Sequence, residues 1–118
     1  IYKSEAKDLI ILKIQNTSKL SQVIPLQIKA KKKDGRLMTA GFYHDDPSLT
    51  FSEGQLLKTH SKHAKALSSI IVSAGFSGSP VMNRQGELVG VVSSYKPIQG
   101  QQTVGLAEYI AADELNVF

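Results

Sequence analysis

The sequence predicts an all-β fold, a barrel or sandwich of short strands with a short helix closing the chain. Three observations predict it. Apolar residues recur with a period of two in several short runs, as in a strand with one face buried. Turn-forming residues, Asp34-Gly35, Pro47 with Gly54, and Arg84-Gln85-Gly86, separate those runs at regular intervals. Good helix formers gather only in the tail "AADELNVF". Many short strands with helix only at the end is the pattern of closed or packed antiparallel sheets.

The elements follow in order. Residues 8–14, "DLIILKI", are nearly all apolar and rich in isoleucine, which predicts a strand buried on both faces. Residues 16–22, "NTSKLSQ", are polar and read as a linker. In "PLQIKAK" (residues 25–31) Leu26, Ile28 and Ala30 alternate with Gln27, Lys29 and Lys31. "RLMTAGFY" follows the Asp34-Gly35 turn as its partner strand. Residues 44–54, "HDDPSLTFSEG", read as a surface loop with at most a short strand. "LSSIIVSA" (67–74) is a further strand, "SPVMN" and "ELVGVVSSY" form a hairpin across residues 84–86, and "QTVGLAEYI" is the last strand. No internal repeat or low-complexity segment interrupts this order.

With 118 residues the chain fits one domain, large enough to bury roughly two thirds of its unfolded surface. Hydrophobic residues at 42% and charged residues at 20% are ordinary for a globular protein. No apolar run reaches the length of a membrane-spanning helix, so no membrane span is expected. Cysteine is absent, which excludes disulfides and thiolate metal sites. The net charge of +4 is concentrated at Lys29, Lys31, Lys32, Lys33 and Arg36 and at Lys58, Lys62 and Lys65. Lysines around an exposed turn protect a sheet edge. No aromatic residues are interleaved with them, so a nucleic-acid partner is not expected. The sequence begins at Ile1 without a methionine and reads as a processed product or an excised piece.

The chemistry concentrates at "AGFSGSPVMN". A serine hydroxyl needs a neighbouring base to become a nucleophile, and the oxyanion it creates needs backbone N–H donors on a rigid turn. Gly75 and Gly78 flank Ser77 and allow sharp bends on either side. In such a bend the amides of Gly75 and Ser77 can point the same way and form an anion-binding pocket. The same residues also suit a plain turn between two strands. The G-x-S-x-G elbow of another hydrolase class fails at Ser79, and Pro80 follows where that motif needs a helix.

Residues 75–93, "GFSGSPVMNRQGELVGVVS", resemble the G-[ND]-S-G-[GS]-P…G-x-[VL]-x-G-[VI] segment of chymotrypsin-fold serine peptidases. The likeness is closest to disulfide-free bacterial types, the glutamyl endopeptidases and the high-temperature-requirement proteases. "KDLIILKI" resembles the family strand that carries the triad aspartate, "LMTAGFY" a strand of the second barrel, and "TVGLAEYI" its last strand. The resemblance implies a second Greek-key barrel over residues 25–118, a linker at 16–24, and a remnant first-barrel strand within 1–15. It implies Ser77 as nucleophile, Asp8 as the group orienting a histidine, and the Gly75 and Ser77 amides as the oxyanion hole. Phe76 stands where the family has Asn or Asp. Bacterial secretion or a periplasmic location is also implied. No cofactor or metal is expected.

The family's histidine precedes its aspartate, yet none of the seven residues before Asp8 is histidine. His44, His60 and His63 all follow Asp8. His60 and His63 share a helical spacing, but they have no evident third ligand and lie among lysines, which argues against a metal. The expected picture is a peptidase portion inactive by itself, completed by the absent first barrel or a second copy. The alternative is a non-catalytic barrel that binds peptides or serves assembly. The implied specificity wall is Ile71, Val72, Ser93, Ser94 and Tyr95. With Ile71 in place of an acidic residue, a small or apolar side chain is expected before the cleaved bond of a polypeptide substrate.

Overall fold

Alternation of inward and outward side chains lets a sheet close on itself, and six strands of this chain do so. The computed structural model describes residues 2–4, 8–13, 15, 35–43, 46–59, 65–101 and 103–112. Two short strands come first, β1 (Tyr2–Ser4) and β2 (Leu9–Ile11). Then follow β3 (Arg36–Phe42), β4 (Leu49–Thr59), β5 (Lys65–Ser73), β6 (Pro80–Met82), β7 (Leu88–Pro97) and β8 (Val104–Ala111). A 3-10 turn at Ala74–Phe76 separates β5 from β6. β1 and β2 pair as a two-stranded sheet, while the rest form a closed antiparallel barrel in the order β3-β4-β5-β8-β7-β6.

The closing seam is short. β3 meets β6 at Met38↔Met82 and Thr39↔Val81, and the fully buried Thr39 hydroxyl donates to the Pro80 carbonyl (2.8 Å). Leu37, Ile70, Val72, Phe76, Val81, Val89, Val92 and Tyr109 fill the interior. Where the β5–β8 register shifts between Leu67 and Ile71, the Ser68 hydroxyl donates to the Ala107 carbonyl (3.0 Å) and accepts from the Ile70 amide (3.2 Å). The β6–β7 connection turns on Asn83. Its side-chain carbonyl accepts from the amides of Gln85 (3.0 Å) and Glu87 (2.9 Å).

Two expectations change. Residues 49–54, expected within a surface loop, belong to β4, an eleven-residue strand. Its outward positions are Leu49, Phe51, Glu53 and Gln55, and its half-buried ones are Thr50, Ser52, Gly54 and Leu56. Small and polar residues at the inward positions disguised the period of two. β2 is three residues long and buried on one face only, with Leu9 inside and Ile10 and Leu12 largely exposed. It pairs with β1 alone among the described residues. On one edge β3 pairs with β4 along its whole length, from Arg36↔Gln55 to Phe42↔Leu49. The strand expected at residues 25–31, the linker at 16–24, the three histidines, most of the lysine clusters and the tail from residue 113 lie outside the described residues.

Burial pushes the Tyr109 phenol up from 10.0 to about 12. The buried neutral form is favoured, so this contribution to stability is complete below pH 10 and is lost as pH rises towards 12. Denaturation curves of the wild type and Tyr109→Phe should therefore diverge between pH 9 and 12, with the wild type losing stability more steeply.

Candidate active site

β5 delivers the chain to a tight bend. After the 3-10 turn, Ser77 has φ −58° and ψ 130°, Gly78 has φ +88°, and the Ser79 amide donates to the Phe76 carbonyl (3.0 Å). Those are the angles and the bond of a type II β-turn with Ser77 and Gly78 at its centre. Gly78 is the glycine whose left-handed conformation the bend requires. Gly75 instead lies within the 3-10 turn, outside the left-handed region. A 3-10 turn aims each amide at the carbonyl three residues back, which in this form turns the Ser77 amide towards the start of the turn.

Two backbone bonds fasten the bend to β7. The Gly78 amide donates to the Val92 carbonyl (2.8 Å), and the Val92 amide donates to the Ser79 carbonyl (2.9 Å). A third restraint is apolar. Phe76 is fully buried, and its ring meets Tyr43 edge to face at 5.1 Å and 71°. Burial of a phenylalanine contributes roughly 1.5–3 kcal/mol. The residue that departs from the family pattern is thus an anchor holding the serine turn on the core.

Asp8 stands just before β2 with φ +54°, a conformation that aspartate tolerates better than most residues. The Ser93 hydroxyl donates to its carboxylate (2.5 Å), a charge-assisted bond between the two-stranded sheet and the barrel. Asp8, Leu9 and Ile10, with Ser77, Gly78 and Val91 to Ser93, line a cleft of about 460 Å³. The cleft joins residues far apart in sequence. It places the hydroxyl-bearing turn and the carboxylate on one concave surface.

The other expected site residues take different positions. Val72 is fully buried in the barrel core, whereas Ile71 faces outward and is partly exposed. The Ser94 hydroxyl donates to the Glu108 carboxylate (3.2 Å) and accepts from the Lys65 ammonium (3.1 Å). Tyr95 packs against the core. None of these four, nor Gly75, lines the cleft. Sequence reading placed Ser93 in a substrate wall and missed its bond to Asp8; a serine directly after the apolar pair Val91-Val92 was the available signal. No group of three or more acidic or histidine side chains suited to a metal occurs among the described residues.

The sequence model of the trypsin-like peptidase domain matches residues 1–91. The chain belongs to that family. No curated protein matches it. The trypsin-like match takes in β1 to β6 and the start of β7, with both Asp8 and Ser77 inside it. The closed six-stranded barrel is a chymotrypsin-like barrel of this peptidase family.

Ser73 breaks the local polar pattern. It is buried at the N-cap of the 3-10 turn, makes no side-chain cap bond, and its hydroxyl has no partner among the described residues. An unpaired buried hydroxyl is destabilising. Ser73→Ala should therefore raise stability by about 1 kcal/mol. Phe76→Ala should lower it by about 3–5 kcal/mol through the cavity it leaves. Urea denaturation of the two variants measures both signs.

Proposed function

We propose that this chain carries the nucleophile and the orienting carboxylate of a serine endopeptidase, with Ser77 attacking the scissile carbonyl. One observation supports this most: Ser77 and a Ser93-held Asp8 line a single cleft. In the proposed reaction an imidazole between them takes the Ser77 hydroxyl proton as the oxygen attacks. Asp8 holds that ring in the correct tautomer and stabilises the imidazolium, which then protonates the leaving amine. The histidine is supplied by the first barrel or by a second copy of the chain. Until it is in place the chain hydrolyses little or nothing, because loss of one triad member costs several powers of ten in rate.

The oxyanion would be held by the amides of Gly75 and Ser77. For both to face the cleft, the peptide joining Ala74 and Gly75 must turn over from its 3-10 arrangement. Gly75, having no side chain, makes that reorientation cheap. The polypeptide substrate would lie beside β7 at Ser93 to Tyr95 as an added strand. β7 supports this by running on past Val91, where its pairing with β6 ends. By sequence likeness the kin are the glutamyl endopeptidases and the high-temperature-requirement proteases.

A second reading, a barrel that holds peptides without cleaving them, is favoured by the 3-10 form of the turn, in which the oxyanion donors are not assembled. Labelling of the complete gene product with a fluorophosphonate separates the two. The enzyme should label, Ser77→Ala should abolish the label, and Asp8→Asn should slow it by roughly 10³–10⁴-fold. Labelling that persists in Ser77→Ala rules out the nucleophile assignment, and a complete protein that never labels favours the binding module.

A further inference from the structure

The barrel carries a second concavity, at the end of β6 remote from the serine turn. Residues of β3, β4 and the β6–β7 turn enclose about 390 Å³ there, and none of them lines the cleft beside Ser77. Its origin is the short closing seam. β6 pairs with β3 only at Met38 and Thr39, so on that edge Leu37 and Arg36 have no strand partner among the described residues. Beyond Met82 the chain enters a tight turn instead. The Asn83 amide donates to the Glu87 carbonyl (3.0 Å), and the Gly86 amide donates to the Asn83 carbonyl (3.1 Å). Backbone groups at an unpaired edge are a template for another strand.

Two guanidiniums and one carboxylate border the concavity, which leaves one positive charge in excess. Arg36 gives Glu53 a single bond (Nη1 to Oε2, 3.1 Å), and both side chains are more than half exposed, so most of that fork stays available. Arg84 has no ion pair among the described residues, and the nearby Glu87 accepts from the Asn83 side chain (2.8 Å). Leu37 and Met38 add an apolar wall.

We propose that this concavity binds the carboxyl end of an extended polypeptide whose last residue is apolar. The inference is independent of the chemistry at Ser77. A strand added to β3 takes backbone bonds along Arg36 and Leu37 and then meets the closed seam at Met38 and Met82, so it has to end there. Of the two kinds of chain end, the guanidiniums select the carboxylate, whose paired oxygens match their fork, and reject the ammonium. The last side chain then lies against Leu37 and Met38, where burial favours an apolar group.

The test uses the pentapeptide acetyl-Ser-Thr-Val-Thr-Leu with a free carboxylate, the same peptide amidated, and acetyl-leucine alone. Each is titrated into the isotopically labelled full chain carrying Ser77→Ala, which prevents cleavage, and binding is read from amide chemical shifts. The free-acid peptide should move Leu37, Met38 and Gly86 and leave Gly78 and Ser93 in place. Amidation of the peptide, or Arg84→Gln in the protein, should weaken binding about tenfold or more, because each removes a charge-assisted pair. Arg84 is exposed, so its replacement leaves the fold intact. Equal affinity of acid and amide, undiminished binding to Arg84→Gln, shifts confined to the Ser77 cleft, or no binding at millimolar peptide overturns the proposal. So does acetyl-leucine that binds as tightly as the pentapeptide, which identifies a small-acid pocket without strand recognition. Each of these outcomes leaves the nucleophile assignment to its own labelling experiment.

Discussion

The site depends on one constraint, the register of β7 at Val92 and Ser93. Val92 uses both its backbone groups on the serine turn, taking the Gly78 amide and giving its own amide to Ser79. Ser93, the next residue, gives its hydroxyl to Asp8. Two neighbouring residues thus fix the two halves of the cleft, one by main chain and one by side chain. The β7–β8 register shifts between Val92 and Ser94, which sets Ser93 apart from the regular ladder. Such a bulge re-aims a side chain without ending the strand. A slip of one residue in β7 would turn Val92 outward and Ser93 into the core, so the apolar core and the cleft enforce the same register.

The carboxylate side of the cleft is held differently. Asp8 adopts a left-handed backbone at the entrance to a three-residue strand, and such positions cost of order 1–2 kcal/mol for residues other than glycine. The charge-assisted bond from Ser93 offsets a cost of that size. Burial of Leu9 adds to it. A conformation that local sequence disfavours is therefore maintained by contacts from the barrel, as is usual where a side chain must be presented at a set angle.

Much of the fold was legible because inward positions of most strands are aliphatic. β5 places Ala66, Ile70 and Val72 inward, and β7 places Val89 and Val92 inward, so their existence followed from apolarity. β4 was obscured for the converse reason: its inward residues Thr50, Ser52 and Gly54 carry no hydrophobic signal, and its bulky Leu49 and Phe51 face outward. β1 was missed because three residues hold no period. In the cleft, Ser77 was visible through its glycine neighbours and its likeness to a family. The roles of Phe76 and Ser93 were not, because both are set by contacts across the barrel, with Tyr43 and with Asp8, that local sequence does not encode.

Elsewhere in the barrel the buried polar groups are satisfied with little strain. Thr39 reaches Pro80, Ser68 bridges Ala107 and Ile70, Ser69 accepts from Gln55, and Asn83 organises its own turn. Two departures lie in or near the cleft. Ser73 buries a hydroxyl with no partner among the described residues, and Asp8, which lines the cleft, takes a left-handed backbone without being glycine. A sequence selected for stability alone would replace Ser73 with alanine. Local rules broken together at one cleft and kept elsewhere indicate that the cleft is shaped by a requirement other than folding. The hydroxyl, carboxylate and turn found there are the groups that acyl transfer needs.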